Sequence, residues 1–155
     1  MHYVEAKHPH LTYLHNRLWE GDALAIQVNS EIFGAAGLGS SAALSSAYAA
    51  ALLELANRDS ALGQLPLIAE CAHLAEASAQ SGRASPTDSS TSALGGCVLI
   101  SDVHEEDADW QYTRELQVAG ETRRWEVHKS DLPTSLAQAS LVIGFTGRPG
   151  PTGEM

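Results

Sequence analysis

Gly37-Leu38-Gly39-Ser40-Ser41-Ala42-Ala43 is the stretch on which the reading of this chain turns. Upstream, residues 23–30 alternate, with Leu24, Ile26 and Val28 on one face and Ala25, Gln27 and Asn29 on the other, the period of a half-buried strand. Downstream, a run from Ser40 to about residue 58 is dominated by Ala, Leu and Tyr without Gly or Pro, which predicts a helix buried on most sides. Strand, glycine-rich turn and helix in that order are a recurring way to hold phosphate. The first N–H groups of a helix have no partner inside it, and the macrodipole favours negative charge there. Gly37 and Gly39 permit φ > 0 and close approach of backbone to a ligand. Ser40 or Ser41 is expected to cap the helix, and a hydroxyl in this place can also reach a metal ion. A P-loop would need Gly-Lys-Ser/Thr after its glycines, and no Lys is present. A dinucleotide fingerprint would need a third glycine where Ala42 and Ala43 stand.

Composition narrows the classes. The chain has 155 residues and a net charge of −10, with a pI near 5.0. That length suits one compact domain with a sizeable core and is short for a two-domain enzyme. The few basic residues cannot build a phosphate-neutralising face, so nucleic acid is excluded as a partner. An anionic nucleotide would have to be held locally, by amides, a helix N-terminus and a metal ion. Cys71 and Cys97 lack metal-type spacing and read as reduced, partly buried thiols. No apolar run is long enough for a membrane span, and residues 1–15 do not resemble a signal peptide, so a cytoplasmic location is expected.

The remaining chain reads as an α+β arrangement, with helices packed on one face of a mixed sheet. A first helix is expected over residues 9–19, where Leu11, Leu14, His15 and Leu18 recur at helical spacing. Residues 65–79 predict another, with Pro66 tolerated in its first turn. Residues 81–88 form a polar loop, and 89–94 a short helix ended by Gly95-Gly96. Residues 97–101, 123–128 and 140–145 predict strands, and 104–109 an acidic, solvated excursion. His2, His8, His10 and His15 lack helical metal spacing and are read as surface residues. Trp19, Trp110 and Trp125 fit core or edge positions, and no Ser-His-Asp order suggests a nucleophilic triad.

A second constellation is Gly82-Arg83-Ala84-Ser85-Pro86-Thr87-Asp88. On its own it could be a turn in which Asp88 caps a helix. On the helix before it, Leu65, Ile68, Ala72, Ala75, Glu76 and Ala79 share one apolar stripe. A carboxylate on such a stripe either needs a partner or reaches water at its edge. Glu70 lies off the stripe and reads as solvated.

The string Gly37 to Ala43 resembles the second motif of the GHMP kinases, which include galactokinase, homoserine kinase, mevalonate kinase and phosphomevalonate kinase. The Ala-Ser-Pro-Thr-Asp run resembles that of archaeal mevalonate kinases. The resemblance implies the N-terminal domain fold of that superfamily. It also implies ATP phosphates held by Gly34, Ala35, Ala36, Gly37, Leu38, Gly39, Ser40, Ser41 and Ala42. Mg²⁺ would be held by Ser41 and Glu76, the latter only after a one-residue insertion near Ser81-Gly82 relative to the family spacing. Asp88 would be the base that accepts the proton of the mevalonate hydroxyl, giving 5-phosphomevalonate. Ser85, and Thr152 in a weaker match after Gly144-Phe145-Thr146-Gly147, would shape the substrate pocket. One departure is Phe33, where the family usually has Pro.

The family resemblance divides the chain into residues 1–139, an N-terminal domain incomplete at its start, and 140–155, the beginning of a C-terminal domain. It leads us to expect a central fragment of a longer kinase, itself of little turnover. Neither Lys7 nor Lys129 sits in the family's upstream lysine motif, and a third glycine-rich motif is not seen. A homodimer of the full-length chain is compatible with the resemblance. The alternatives are another small-molecule kinase of the superfamily, acting on phosphomevalonate, homoserine or a sugar, and a nucleotide-binding domain without catalysis.

Overall fold

A computed structural model of the chain describes residues 8–32, 34, 37–56, 63–132, 134–140 and 142–144. Four α-helices come first: α1 (Pro9–Leu18), α2 (Ser40–Leu55), α3 (Leu65–Ala79) and α4 (Thr87–Leu94). They precede three strands, β1 (Cys97–Ser101), β2 (Asp109–Val118) and β3 (Glu121–Ser130), and a 3-10 turn over Thr134–Gln138.

Apolar spacing explains how the helices pack. In α1, Leu11, Leu14 and Leu18 fall on one stripe and are buried. In α2, Tyr48, Ala49, Leu52 and Leu53 turn inward, whereas Ala47, Ala51 and Leu55 are exposed. The helix is thus buried on part of its circumference rather than on most sides. Helix α3 packs against α1, α2 and α4. Its Ile68, Cys71 and Ala75 join the leucines of α1 and α2 in one core, in which Leu14 and Leu52 are fully buried. Cys71 and Cys97 are both free thiols.

The sheet has strand order β1-β3-β2, and both pairings are antiparallel. β2 and β3 form a hairpin around Ala119 and Gly120, whose φ values of 51° and 86° suit a two-residue turn that follows the strand twist. β2 has no counterpart in the sequence reading. Its inward face carries Tyr112, Arg114 and Leu116, and a buried Arg breaks the apolar alternation by which a strand is recognised. Residues 23–30 run without regular structure, although they alternate like a strand. No described strand pairs with them, and Ile26 and Val28 are exposed, so neither the hydrogen bonds nor the burial that fix a strand are present. Of the segment expected as a strand over 140–145, residues 140 and 142–144 show no regular structure and the others lie outside the described residues.

Helices and sheet meet at α3 and α4. Tyr112 Oη donates to Ser90 Oγ at 2.9 Å, and Lys129 Nζ donates to the Leu94 carbonyl at 3.1 Å. Among the described residues no helix is long and apolar enough to cross a membrane.

Candidate active site

Gly37 and Gly39 both take left-handed backbone, with φ of 71° and 66°. Gly39 is the N-cap of α2, and its carbonyl accepts the first helical bond, from Ala43 N–H at 2.9 Å. The helix has no side-chain cap, contrary to the role expected of Ser40 or Ser41. The Ser41 hydroxyl is drawn instead to a buried carboxylate, described next. The N–H groups of Ser40, Ser41 and Ala42 stand in the first turn, where a helix supplies no acceptor. Ala42 turns its methyl into the core, so only its backbone is placed to meet a ligand. Gly34, Ser40 and Ser41 line an open cleft of about 470 Å³ together with Asn29, Ser30 and Leu44. Leu38 is exposed beside it. Ala35 and Ala36 lie outside the described residues, as does Phe33.

Glu76 is buried on α3, and its carboxylate is surrounded by donors. Ser41 Oγ lies 2.8 Å and 2.9 Å from its two oxygens, Ser45 Oγ donates at 2.8 Å, and Gln80 Nε2 at 3.4 Å. The carboxylate therefore does not reach water at a stripe's edge. Burial of an ionised group needs such partners, and charge-assisted hydrogen bonds are the strong ones. Ser45, which the motif does not mark, stands four residues after Ser41 on the same helix face, and that i, i+4 spacing is its signal in the sequence. Hard oxygen donors of this kind fit Mg²⁺, which takes one or two protein ligands and keeps waters and phosphate oxygens for the rest. The described residues hold no cluster of three or more His, Cys, Asp or Glu that could bind a metal alone.

Asp88 sits in the first turn of α4 and is exposed. The N-cap of this helix is Pro86, so Asp88 stands inside the helix rather than at its capping position. Its carboxylate stands against the N-cap of α2: a Cβ built on Gly39 would lie 3.4 Å from Asp88 Cγ and 3.6 Å from Oδ2. Ser85 is exposed, and its hydroxyl donates to Thr87 Oγ1 at 3.1 Å. The turn before this segment needs Gly82, whose φ is 80° and where a Cβ would come within 2.7 Å of Val118 Cγ1.

Three separated segments thus come together: the glycine loop, Glu76 on α3 and Asp88 on α4. Thr152 lies outside the described residues. Two histidines differ from a surface reading. His10 is buried, because the 10-14-18 spacing sets it on the same stripe as Leu14 and Leu18. It lines the cleft, its Nε2 has no hydrogen-bond partner among the described residues, and burial lowers its pKa while Glu76 opposes that shift. His15 is half-buried, with Nδ1 3.0 Å from Tyr48 Oη. His8 is exposed, and His2 lies outside the described residues.

A glycine-started helix whose first-turn N–H groups lack helical acceptors, a buried serine–glutamate pair and an exposed aspartate beside the loop form an arrangement chemically able to receive a phosphate. The chain matches the family of GHMP kinases N terminal domain over residues 4–96, more than half its length, and it belongs to that family. Its members are ATP-dependent small-molecule kinases. No curated protein and no solved structure gives a significant match.

Proposed function

We propose that this domain serves a mevalonate kinase, transferring the γ-phosphoryl group of ATP to the mevalonate hydroxyl to give 5-phosphomevalonate. The observation that carries the reaction class is the contact of Asp88 with Gly39, which sets a carboxylate beside the loop that would hold the phosphates. An alcohol is a poor nucleophile, and a carboxylate that takes its proton as the new bond forms assists the attack. Positioning and charge stabilisation supply most of the remaining rate in phosphoryl transfer. The N–H groups at the start of α2 would hold phosphate oxygens. Ser41 and Glu76 would hold Mg²⁺, which neutralises charge between the β- and γ-phosphates. The choice of mevalonate is supported by the run Ala84-Ser85-Pro86-Thr87-Asp88, with Ser85 at the acceptor side.

Two measurements test this reading. Titration of the chain with ATP should show binding that tightens when Mg²⁺ is added. A coupled ADP-release assay on the complete open reading frame should show turnover with mevalonate and little with phosphomevalonate, homoserine or galactose. Preference for another of these acceptors would move the domain elsewhere in the superfamily. Failure to bind ATP in either form would refute the proposal.

A further inference from the structure

The segment that carries Ser85 and Asp88 is tied to the sheet by a buried chain of hydrogen bonds. Arg114 on β2 donates from Nε to His73 Nδ1 at 3.0 Å, and His73 Nε2 lies 3.0 Å from the Ala84 carbonyl oxygen. His73 is fully buried and Arg114 is buried as well. The two neighbours dictate the state of the ring. A guanidinium can only donate, so Nδ1 must be bare, and a carbonyl can only accept, so Nε2 must carry the proton. Burial, the largest influence, lowers the pKa of His73; the Ala84 carbonyl raises it and Arg114 lowers it, and the neutral ring is the form this chain requires. The ring is held from the side by Trp125 on β3, edge to face at 5.5 Å and 84°. Arg114 Nη1 donates to the Glu115 carbonyl, which fixes the guanidinium on the sheet.

We infer that His73 is a positioning residue for the aspartate loop, holding the Ala84 carbonyl so that the following turn delivers Asp88 to the start of α2. The inference rests on Asp88 acting as in the proposed reaction. It extends that reading to a residue on α3 whose hydrogen bonds run to the Ala84 backbone and to Arg114. Pro86 closes the connection. It is fully buried, so the turn pivots between a carbonyl fixed by His73 and a ring fixed by packing. Glu76 lies one turn along α3 from His73, but its own bonds run to Ser41 and Ser45 of α2, so removing the His73–Ala84 bond should leave the phosphate loop anchored.

Two variants separate positioning from bulk stability. His73→Phe keeps a flat ring and removes both bonds. His73→Gln retains a terminal amide that can donate to Ala84 and an oxygen that can accept from Arg114. By amide hydrogen exchange on the chain, His73→Phe should speed exchange at residues 90–94, the bonded amides of α4, by about tenfold or more while residues 43–46 of α2 stay within about twofold, and His73→Gln should restore most of the protection. In the complete open reading frame, His73→Phe should lower kcat about tenfold or more with the KM for ATP within about twofold, and His73→Gln should recover most of it. Equal changes in both segments, or an unchanged aspartate segment, would overturn the inference. So would kcat and the ATP KM moving together in both variants. If the wild-type enzyme binds ATP but phosphorylates no acceptor, the proposed reaction fails and the exchange data alone decide the role of His73. Should His73→Phe not fold, the ¹⁵N spectrum of the wild-type ring decides: a proton on Nδ1, or a ring that titrates near neutral pH, contradicts the chain of bonds.

Discussion

Gly39 and Asp88 meet where two helices begin. The glycine that starts α2 has left-handed backbone, and the space a Cβ would fill is bounded by the Asp88 carboxyl, 3.4 Å away at Cγ. Asp88 belongs to the first turn of α4, so the positive ends of two helix dipoles converge at this contact. An anion placed there would meet free amides from α2 and a carboxylate from α4. A phosphoryl group about to be transferred to an alcohol needs both.

Replacing Gly39 by Ala should expose this requirement. A left-handed non-glycine residue costs about 1–2 kcal/mol, and urea unfolding should register a loss of that size. ATP affinity should fall about tenfold as the loop relaxes, equivalent to about 1.4 kcal/mol. Gly39→Asn should lose less stability, because Asn visits this backbone region more readily. An alanine variant as stable as the wild type, with undiminished ATP binding, would show that the backbone at this position is not constrained.

Asp88→Asn should separate chemistry from binding. Loss of a general base lowers kcat about 10²–10⁴-fold, while the ATP dissociation constant should stay within about twofold. Single-turnover ADP formation alongside nucleotide titration reads both. If nucleotide binding fell as far as turnover, Asp88 would be acting as part of the phosphate loop.

The Ser41–Glu76 bond can be weighed by a double-mutant cycle with Ser41→Ala and Glu76→Gln. A hydrogen bond to a charged group is worth about 1.5–3 kcal/mol, and the coupling in urea unfolding should approach that range. The same variants should weaken binding of Mg²⁺–ATP about tenfold and metal-free ATP much less, if the two side chains hold the cation. Equal losses with and without Mg²⁺ would place the pair in folding alone.

Glu126 gives a pH dependence independent of the site. It is buried on β3, where Trp110 Nε1 and Thr113 Oγ1 donate to Oε2 at 2.9 and 2.8 Å, and Arg124 Nη2 to Oε1 at 2.7 Å. The Trp110 bond leads in pulling its pKa from 4.5 to about 2, with Thr113 and Arg124 assisting and burial opposing. A carboxylate whose pKa is lower in the folded state stabilises it above pH 4.5, and that contribution is lost as pH falls towards 2. Stability should therefore decline across this window, and Glu126→Gln should flatten that part of the profile. An equally steep decline in the variant would assign acid unfolding to other carboxylates.

Local rules made much of the helical layer legible. The limits of α3 and β1 follow directly from apolar spacing and flanking Gly and Pro, and α1 and α2 are displaced only at their C-terminal ends. β2 was hidden because its most buried side chain is Arg114, whose burial is intelligible only once His73 stands opposite it. Residues 23–30 show the converse. Alternation describes how a strand would face a core, but a strand forms only where a neighbour accepts its hydrogen bonds.

The candidate site divides in the same way. The glycine loop, the helix after it and the Ala-Ser-Pro-Thr-Asp run are legible from the residues alone, because backbone freedom and turn chemistry act over a few residues. The sequence left Glu76 undecided between a partnered carboxylate and one reaching water. Helix packing is what turns Glu76 on α3 towards Ser41 and Ser45 and brings Asp88 on α4 against Gly39. Those contacts join residues far apart in the chain, and the packing of three helices around one core, rather than any local preference, brings them within reach.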